Sequence, residues 1–436
     1  MSLIEIALLL LAALFAMLGG GVWIALALLG TGLIAMTFFT NAPPGLVMAT
    51  RVWGSAASWE LSALPLFIWM GEILFRTKLS EEMFAGLAPW LTRVPGRLMH
   101  VNILGCGIFG SVSGSSAATA ATIGKIAIPE LMKRGYDEKM ILGSLAGAGT
   151  LGILIPPSII MVVYAVAADV SIIQVFLAGM IPGLILMALM SGYIAGWALI
   201  YPNKTPREDA RMTFLEKIKA SRELIPCTLL IIGVIGALGV GYATATEAAA
   251  FGVLGALMIA AWSRTLTWRS FVDSAFGAMR VSCMIMLILA GASYITVAMG
   301  FTGIPNALAT WVMSFDPSPY TLIFILSIMY IVLGTALDGV SMIVLTTTVV
   351  LPMIQRAGFD LVWFGIFIVL VVEMAELSPP VGFNLFVLQN MSGRDSWFVA
   401  AASIPFFILM VVTIGIITVF PEVVMWLPKL YVASVR

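Results

Sequence analysis

The sequence predicts an all-α polytopic membrane protein built as an inverted-topology repeat, with two re-entrant helical hairpins and two broken helices. Three observations lead to this fold class. Hydrophobic residues make up 61% of the 436 residues and charged residues only 10%, far from the roughly 25% charged residues of a soluble domain. Two sets of apolar segments follow one another in the same pattern. In each set, two segments have the wrong length or composition for a simple membrane span.

Apolar segments divide the chain into two halves. A helix needs about 20 apolar residues to cross a hydrocarbon layer of about 30 Å. The first half, residues 1–200, contains candidate segments at 3–19, 20–40, 59–78, 98–129, 140–168 and 171–200. The second half, residues 222–436, contains candidates at 222–241, 246–262, 275–300, 320–352, 361–391 and 398–423. The charged stretch 201–221 joins the halves and is expected in the cytoplasm.

Prolines repeat between the two halves at one constant offset of 223 residues. The pairs are Pro129 with Pro352, Pro156 and Pro157 with Pro379 and Pro380, and Pro182 with Pro405. Because the whole chain has only 21 prolines, this coincidence indicates an internal duplication.

One segment in each half is too long for one crossing and too short for two. Residues 98–129 would form about 48 Å of continuous helix at 1.5 Å per residue, and "GSVSGSS" (110–116) lies in the middle. A re-entrant hairpin with an irregular tip solves this problem, because non-helical backbone is tolerated at that depth when it is buried in protein or lines a cavity. The counterpart, 320–352, is broken at "GTALDGVS" (334–341).

The segment after each hairpin contains a Pro-Pro pair. Residues 140–168 are interrupted at "LGILIPPS" and residues 361–391 at "ELSPPVGFN". Two consecutive prolines remove two amide donors and clash with the preceding turn. Each of these segments is therefore expected to be two half-helices with an unwound stretch between them.

The hairpins determine the expected topology. Five true crossings per half is an odd number, so the second half must be inverted relative to the first. Most of the 22 Lys and Arg residues lie in loops on one side of the membrane in this arrangement. By the positive-inside rule that side is cytoplasmic, and both termini are expected on the periplasmic side.

Broken helices near the bilayer centre are typical of secondary transporters, where unwound carbonyl groups coordinate cations and half-helix N-termini favour anions. The tip residues Ser113, Gly114, Ser115 and Ser116 would bring neutral oxygens close together. Such a site suits Na⁺ better than a divalent metal, which would need several carboxylates. The alternative is that these small residues only permit close helix packing, and we accept that for the alanines that follow the tip.

Few acidic residues lie inside the predicted membrane segments, and each is a functional candidate. Asp338 falls at the second tip, and Glu373 and Glu376 precede the second Pro-Pro break. Each could be a cation ligand, a proton carrier, or a structural helix cap or hydrogen-bond partner. The hydroxyls of residues 346–348 could add further ligands.

Enzymatic activity is not expected. "GSVSGS" does not match the G-x-S-x-G nucleophile motif, there is one histidine, and no G-x-x-x-x-G-K-[ST] phosphate loop occurs. The three cysteines have no metal-ligand or disulfide spacing. A net charge of zero argues against a nucleic-acid partner.

Five motifs distributed over the chain together resemble the large membrane subunit of tripartite ATP-independent periplasmic (TRAP) transporters. They are "LPLFIWMGEIL", "GSVSGSSAATAATIGKIAIPEL", "GTLGILIPPSI", "GTALDGVSMIVLTTTVVLP" and "EMAELSPPVGFNLFVL". The family's second Pro-Pro motif usually opens with Thr, and Ser378 keeps the hydroxyl here.

The resemblance implies a Na⁺-driven importer of small organic acids with the elevator fold of the ion-transporter superfamily, located in the bacterial inner membrane. In such an elevator, a transport domain built from both hairpins and both broken helices slides against a scaffold. The resemblance also implies two partners, a small four-helix membrane subunit and a soluble periplasmic substrate-binding protein.

The resemblance also implies site residues. A first cation site would use Ser113, Gly114, Ser115, Ser116, Gly149, Thr150 and Gly152. A second would use Gly334, Thr335, Asp338, Gly339, Ser341, Ser378 and Gly382. Substrate would lie near Ser113, Pro157, Ser158, Asp338, Pro380 and Asn384.

Three alternatives remain at the level of sequence. A stand-alone Na⁺- or H⁺-coupled anion symporter of similar fold would need no binding protein. A cation/proton antiporter would depend on Glu373 and Glu376. A passive channel would conduct without coupling to an ion gradient.

Overall fold

The computed structural model describes residues 2–77, 79–206, 213–334, 337–378 and 382–435, and the regular elements in these ranges are helices. The first half contains α1 (Leu3–Gly19), α2 (Ile24–Phe39), α3 (Pro44–Ala56), α4 (Ala63–Phe75), α5 (Leu79–Leu91), α6 (Met99–Ser113), α7 (Ser116–Lys133), α8 (Glu138–Gly149), α9 (Leu151–Leu154), α10 (Ile159–Ala167) and α11 (Ile172–Ile200).

The remaining helices are α12 (Phe214–Ala220), α13 (Ile225–Gly239), α14 (Ala245–Trp262), α15 (Trp268–Thr302), α16 (Ile304–Met313), α17 (Pro319–Leu333), α18 (Gly339–Arg356), α19 (Leu361–Glu376), α20 (Phe383–Ser392), α21 (Ser396–Val419) and α22 (Glu422–Val435). Short 3₁₀ helices occupy Trp59–Ser62, Pro202–Lys204 and Ser221–Leu224.

Large apolar side chains cover the outside of the helix bundle. Phe38, Leu229 and Phe324 are all more than 60% exposed. Within the described ranges, five helices are long and apolar enough to cross a membrane, and counting each bent helix pair as one span raises this to seven. Because helices that are apolar on all faces belong in lipid or in a large core, the predicted polytopic membrane protein is confirmed.

The two halves repeat the same order of hairpin and broken helix. Helices α7 and α18 begin and end at positions that differ by the same offset as the prolines, and so do the first residues of α8 and α19. The repeated hairpins and broken helices of the predicted fold class are confirmed.

The first hairpin reverses direction over two residues. Gly114 adopts a left-handed conformation with φ of +59° and ends α6, and Ser115 is the N-cap of α7. Only glycine adopts this conformation without a steric penalty. The irregular tip is therefore shorter than the seven-residue stretch 110–116 predicted from sequence, because most of that stretch is helical.

The second hairpin consists of α17 and α18. Gly334 is the C-cap of α17 and Asp338 is the N-cap of α18. The hydroxyl oxygens of Tyr330 and Thr346, one on each arm, lie 2.7 Å apart, so the arms run side by side. Thr335 lies outside the described residues.

Each broken helix is interrupted where the prolines occur. The α8–α9 pair is followed by the non-helical residues 155–158, and the axis bends by 46° before α10. In the second half, α19 ends at Glu376 and α20 begins at Phe383. Pro379 and Pro380 lie outside the described residues.

Several shorter helices do not correspond to any predicted apolar segment. They are α3, α5, α12, α16 and α22. These helices contain charged or polar residues or lie beside a membrane segment, so hydropathy alone does not identify them. Helix α15 has 35 residues and extends beyond the predicted segment 275–300 at both ends.

Two groups of helices pack against each other. In the scaffold group (α2, α4, α13, α14 and α15), α15 packs along α2 and α4, while α14 packs between α4 and α13. In the hairpin group (α6–α10 and α17–α20), both hairpins pack against both broken helices. The groups meet mainly through α4 with α6, and α15 with α18 and α10. This packing buries Gly114 and Ser116 of the first tip, whereas Asp338 of the second tip stays exposed.

Candidate transport site

The first hairpin tip is a cluster of hydroxyl and carbonyl oxygens. The Ser113 hydroxyl lies 2.7 Å from the Thr119 hydroxyl and donates to the Ser115 carbonyl at 3.2 Å. The Thr119 hydroxyl also reaches that carbonyl, at 2.7 Å. Ser115 caps α7 by accepting the Ala118 backbone N–H at 3.4 Å. The tip residues therefore bring neutral oxygens together, as a weakly held monovalent cation requires.

Glycines bring this tip into contact with the first helix break. A Cβ on Gly152 would lie 2.7 Å from the Thr119 hydroxyl oxygen and 3.1 Å from the Gly110 Cα atom. A Cβ on Gly149 would lie 3.3 Å from the Ser116 carbonyl oxygen. A side chain at either position would push the tip and the break apart. The residues predicted for the first cation site are thus neighbours in the structure.

The second half of the first broken helix begins beside the same tip. Ser158 is the buried N-cap of α10, and a Cβ on Gly114 would lie 3.3 Å from the Ile159 backbone nitrogen. Pro157 is buried next to it. The Thr150 hydroxyl donates to a backbone carbonyl one turn earlier at 2.6 Å, so its oxygen, but not its proton, is available to a ligand.

Asp338 acts as a helix cap at the second tip. Its carboxylate accepts the backbone N–H of Ser341 at 3.2 Å and also accepts the Ser341 hydroxyl proton. Asp338 is exposed, while Ser341 is fully buried. The helix-cap role that sequence analysis left open for Asp338 is therefore present in the structure. The carboxylate places a negative charge at the positive end of α18, which stabilises it.

Two glycines of the second tip, Gly334 and Gly339, and Gly382 of the second break lie close to the end of α19. A Cβ on Gly334 would lie 2.2 Å from the Ala375 Cβ atom. A Cβ on Gly339 would lie 3.4 Å from the Glu376 Oε1 atom, and one on Gly382 would lie 2.5 Å from the Glu376 carbonyl oxygen. The predicted second-site residues therefore gather around the last turn of α19.

A hydrogen-bonded chain joins the first hairpin tip to the second helix break. The Ser116 hydroxyl donates to Glu376 Oε2 at 3.0 Å, and the Asn384 side-chain amide donates to the Ser116 oxygen at 2.5 Å. Ser116 and Asn384 are both almost completely buried. Three residues from separate parts of the sequence, on α7, α19 and α20, thus meet at one point.

Other predicted residues contribute less directly. The Ser378 hydroxyl donates to the Met374 carbonyl at 2.9 Å, which satisfies it within the helix. Thr335 and Pro380 were also predicted as site residues and lie outside the described part of the chain. Among the hydrogen bonds of the described residues, none joins Ser113 to Asp338, the two residues predicted to contact both ion and substrate.

Sequence analysis missed two residues at the first tip. The Thr119 hydroxyl lies 2.7 Å from the Ser113 hydroxyl and so belongs to the tip cluster. Gly110 has no side chain, which allows α6 to approach Gly152 closely. Thr119 was overlooked because it lies among alanines that indicate packing. Its position four residues after Ser115 on a helix would have placed it on the same face as the tip.

The first tip presents hydroxyl and carbonyl oxygens and no carboxylate. Among the described residues, no group of three or more His, Cys, Asp or Glu side chains could hold a metal ion.

Comparisons with known proteins identify the family of the chain. Residues 11–423 match the family described as "Tripartite ATP-independent periplasmic transporter, DctM component". The chain is 29% identical over 397 residues to the C4-dicarboxylate TRAP transporter large permease protein DctM of Pseudomonas aeruginosa, covering 91% of this chain and 92% of that protein. It is 26% identical over 405 residues to the sialic acid TRAP transporter large permease protein SiaM of Vibrio cholerae, covering 91% and 93%.

A solved structure shows the same fold. The crystal structure of the YdaH transporter of Alcanivorax borkumensis, described as having an unusual topology, superposes with a TM-score of 0.63. The match covers 93% of this chain and 97% of that one at 10% sequence identity. Together with the family match over almost the whole sequence, these findings show that the chain belongs to the DctM component family, the large membrane subunits of tripartite ATP-independent periplasmic transporters.

Proposed function

We propose that this chain is the transporting subunit of a Na⁺-coupled importer of small organic acids that works as an elevator in the inner membrane. One observation supports the proposal: the first hairpin tip packs against the first helix break at a cluster of hydroxyl and carbonyl oxygens, and Ser116 at that tip hydrogen-bonds to Glu376 at the second break. Membership of a transporter family gives this cluster a function in moving a solute.

Sodium fits the residues at the first tip. The Ser113 and Thr119 hydroxyls and the Ser115 carbonyl lie within hydrogen-bond distance of one another, and the glycines of the first break keep side chains out of their surroundings. Neutral oxygens bind Na⁺ weakly enough to release it, which conduction and transport both require. The bound ion would add positive charge where an organic anion is to bind.

The substrate is an organic acid small enough to lie between the tips. The relatives reported above are named for C4-dicarboxylate and sialic acid transport, and both substrates carry carboxylates. Helix α10 begins at the first helix break with the neutral residue Ser158 as its N-cap, whereas α18 begins at the second tip and is capped by the Asp338 carboxylate. Helix N-termini attract carboxylates through their free N–H groups, so the start of α10 is the end suited to an anionic substrate.

The packing of the helices is compatible with an elevator. The hairpin group carries both tips and both breaks, and it contacts the scaffold group along a limited set of helices. A hydrogen bond between Thr296 and Thr348, 2.7 Å long, joins the two groups across α15 and α18. One such bond can be exchanged as the groups slide, whereas a continuous polar interface would resist movement.

We further propose that a small four-helix membrane subunit and a periplasmic binding protein act with this chain. The family description refers to a tripartite system, and the periplasmic location of both termini, expected from the charge distribution, remains part of this proposal. The exposed helix α3, which carries no buried residue, would lie on the periplasmic side, where a soluble protein could approach.

Uptake into reconstituted vesicles tests the proposed function. Vesicles containing the full chain and the small subunit are given organic acid, binding protein and an inward Na⁺ gradient. We expect accumulation only with the gradient and the binding protein together. Uptake without the binding protein would indicate a stand-alone symporter, proton exchange without organic acid would indicate an antiporter, and unsaturable flux independent of Na⁺ would indicate a channel.

A further inference from the structure

Two glutamates near the end of α19 lie on the same side of that helix. Glu373 and Glu376 are three residues apart, a spacing that places side chains next to each other on a helix surface. Glu373 is completely buried. The Ser116 hydroxyl donates to Glu376 and receives a hydrogen bond from Asn384. These four residues are referred to below as the glutamate cluster.

The glutamate cluster contains more acceptors than donors. Both carboxylate oxygens of Glu373 and the amide oxygen of Asn384 are buried and have no hydrogen-bond partner among the described residues. The Ser116 proton and one Asn384 amide proton are already used. None of the ion pairs found in the described ranges involves either glutamate. Three buried oxygens of the cluster are therefore left without a hydrogen-bond or ion-pair partner in the described part of the chain.

Such an arrangement is unfavourable if the carboxylates are ionised and neither a cation nor a proton neutralises them. An unpaired carboxylate in the interior of a protein costs several kcal/mol or more, and two carboxylates close together repel each other. Buried polar groups are normally satisfied. The three unpartnered oxygens come from two different helices, α19 and α20, so packing of one helix does not explain them.

We propose that the glutamate cluster is a binding site for a monovalent metal cation, with Na⁺ as the ion, ligated by Glu373, Glu376, Asn384 and the Ser116 hydroxyl oxygen. This site differs from the oxygen cluster of Ser113, Ser115 and Thr119 because its charge comes from carboxylates, and it includes Ser116, which was also predicted for the first cation site. The inference rests on the proposed function, since it adds a cation site to a Na⁺-coupled transporter.

The site would connect the two halves of the protein. Ser116 belongs to the first hairpin, whereas the other three residues belong to the second broken helix. Glu376 also lies beside Gly339 at the beginning of α18. A cation held there would hold the first tip and the second break together, so its occupancy would influence whether the tips are arranged for substrate.

Sodium binding to the purified full chain in lipid nanodiscs tests this inference without any transport measurement. The probe is NaCl, titrated against choline chloride at constant ionic strength, and the readout is the thermal unfolding midpoint together with calorimetry. We expect Na⁺ to stabilise the wild-type protein. In Glu373→Gln and Glu376→Gln, which keep the side-chain volume, the Na⁺ affinity should fall by roughly tenfold to hundredfold.

Two further variants test whether the effect on Na⁺ binding is specific to the glutamate cluster. Glu60→Gln removes an exposed acid in the first 3₁₀ helix and should bind Na⁺ like the wild type. Asn384→Ala removes the unpartnered amide oxygen and should weaken Na⁺ binding even if one glutamine variant folds poorly. Unchanged Na⁺ affinity in both glutamine variants and in Asn384→Ala would overturn the proposal and leave protons as the neutralising charge.

The two proposals can fail separately. If the wild type imports organic acid with a Na⁺ gradient but the glutamine variants bind Na⁺ normally, the glutamate cluster is not a cation site and the proposed function stands. If the variants lose Na⁺ binding while the wild type shows no Na⁺-driven uptake, the cluster binds Na⁺ and the proposed function is wrong.

Discussion

Individual glycines determine whether the hairpin tips and the helix breaks can meet. Gly152 touches both the first arm at Gly110 and the tip hydroxyl of Thr119. At this distance a methyl group has no room, and overpacking a well-packed interior typically costs about 1–3 kcal/mol. Gly152 therefore serves the close approach of tip and break, the role that the sequence offered as the alternative to ion binding for small residues, and the ion-binding role of the tip hydroxyls stays a proposal.

We predict that Gly152→Ala impairs both folding stability and uptake. The added Cβ would lie 2.7 Å from the Thr119 hydroxyl oxygen, so the tip must move away from the break. Thermal unfolding and vesicle uptake measure the two effects. The matched control is Gly236→Ala in α13, where a Cβ meets nothing within 4 Å. Equal behaviour of the two variants would show that the close approach is unimportant.

Asp338 offers a second test at the residue scale, because two substitutions separate its charge from its capping role. Asn caps helices about as well as Asp, whereas Ala costs about 1 kcal/mol. We expect Asp338→Asn to keep normal membrane insertion and stability but to abolish uptake. Asp338→Ala should lose stability as well. Full uptake by Asp338→Asn would mean that Asp338 contributes only the cap seen in the structure.

Ser113→Ala tests the first tip in the same way. The substitution removes the hydroxyl that lies 2.7 Å from Thr119 and 3.2 Å from the Ser115 carbonyl, while the helix and its glycine cap are kept. We expect Na⁺-driven uptake to be abolished with normal membrane insertion. Wild-type uptake by this variant in reconstituted vesicles would remove Ser113 from the site.

At the scale of elements, the repeat made much of the fold predictable. The Pro-Pro pairs located both helix breaks, and the common offset matched α7 to α18 at both ends. The amphipathic and short helices α3, α5 and α16 were not predicted, because hydropathy detects only long apolar segments. The contact between Ser116 and Glu376 joins residues 260 positions apart, and no local pattern in the sequence encodes such a pairing.

The contact between α15 and α18 gives an element-scale prediction about movement. In a background without the three native cysteines, Thr296→Cys and Thr348→Cys together should form a disulfide, because their hydroxyl oxygens lie 2.7 Å apart. We expect oxidation to block uptake and reduction to restore it, since α15 belongs to the scaffold group and α18 to the hairpin group. The single-cysteine variants are the controls. Undiminished uptake by the cross-linked protein would contradict sliding between these groups.

At the scale of the whole molecule, the two repeats bring two hairpin tips and two helix breaks to one region. The first tip contacts the first break through Gly152, and the second tip contacts the end of α19 through Gly339. The chain Asn384, Ser116 and Glu376 then joins the two halves. An ion bound in this region would change the positions of the groups that bind the organic anion, and the bound anion would likewise change the positions of the groups that bind the ion.

Thermodynamic coupling between Na⁺ and substrate is therefore the most direct test of the central claim, that both bind together where the tips meet. The measurement is the dissociation constant of the transported organic acid for the purified protein at several NaCl concentrations and constant ionic strength. We predict that affinity rises with Na⁺, and that the organic acid raises the affinity for Na⁺ by the same factor. Ser113→Ala should abolish this coupling. Organic-acid binding that is independent of Na⁺ would contradict the account.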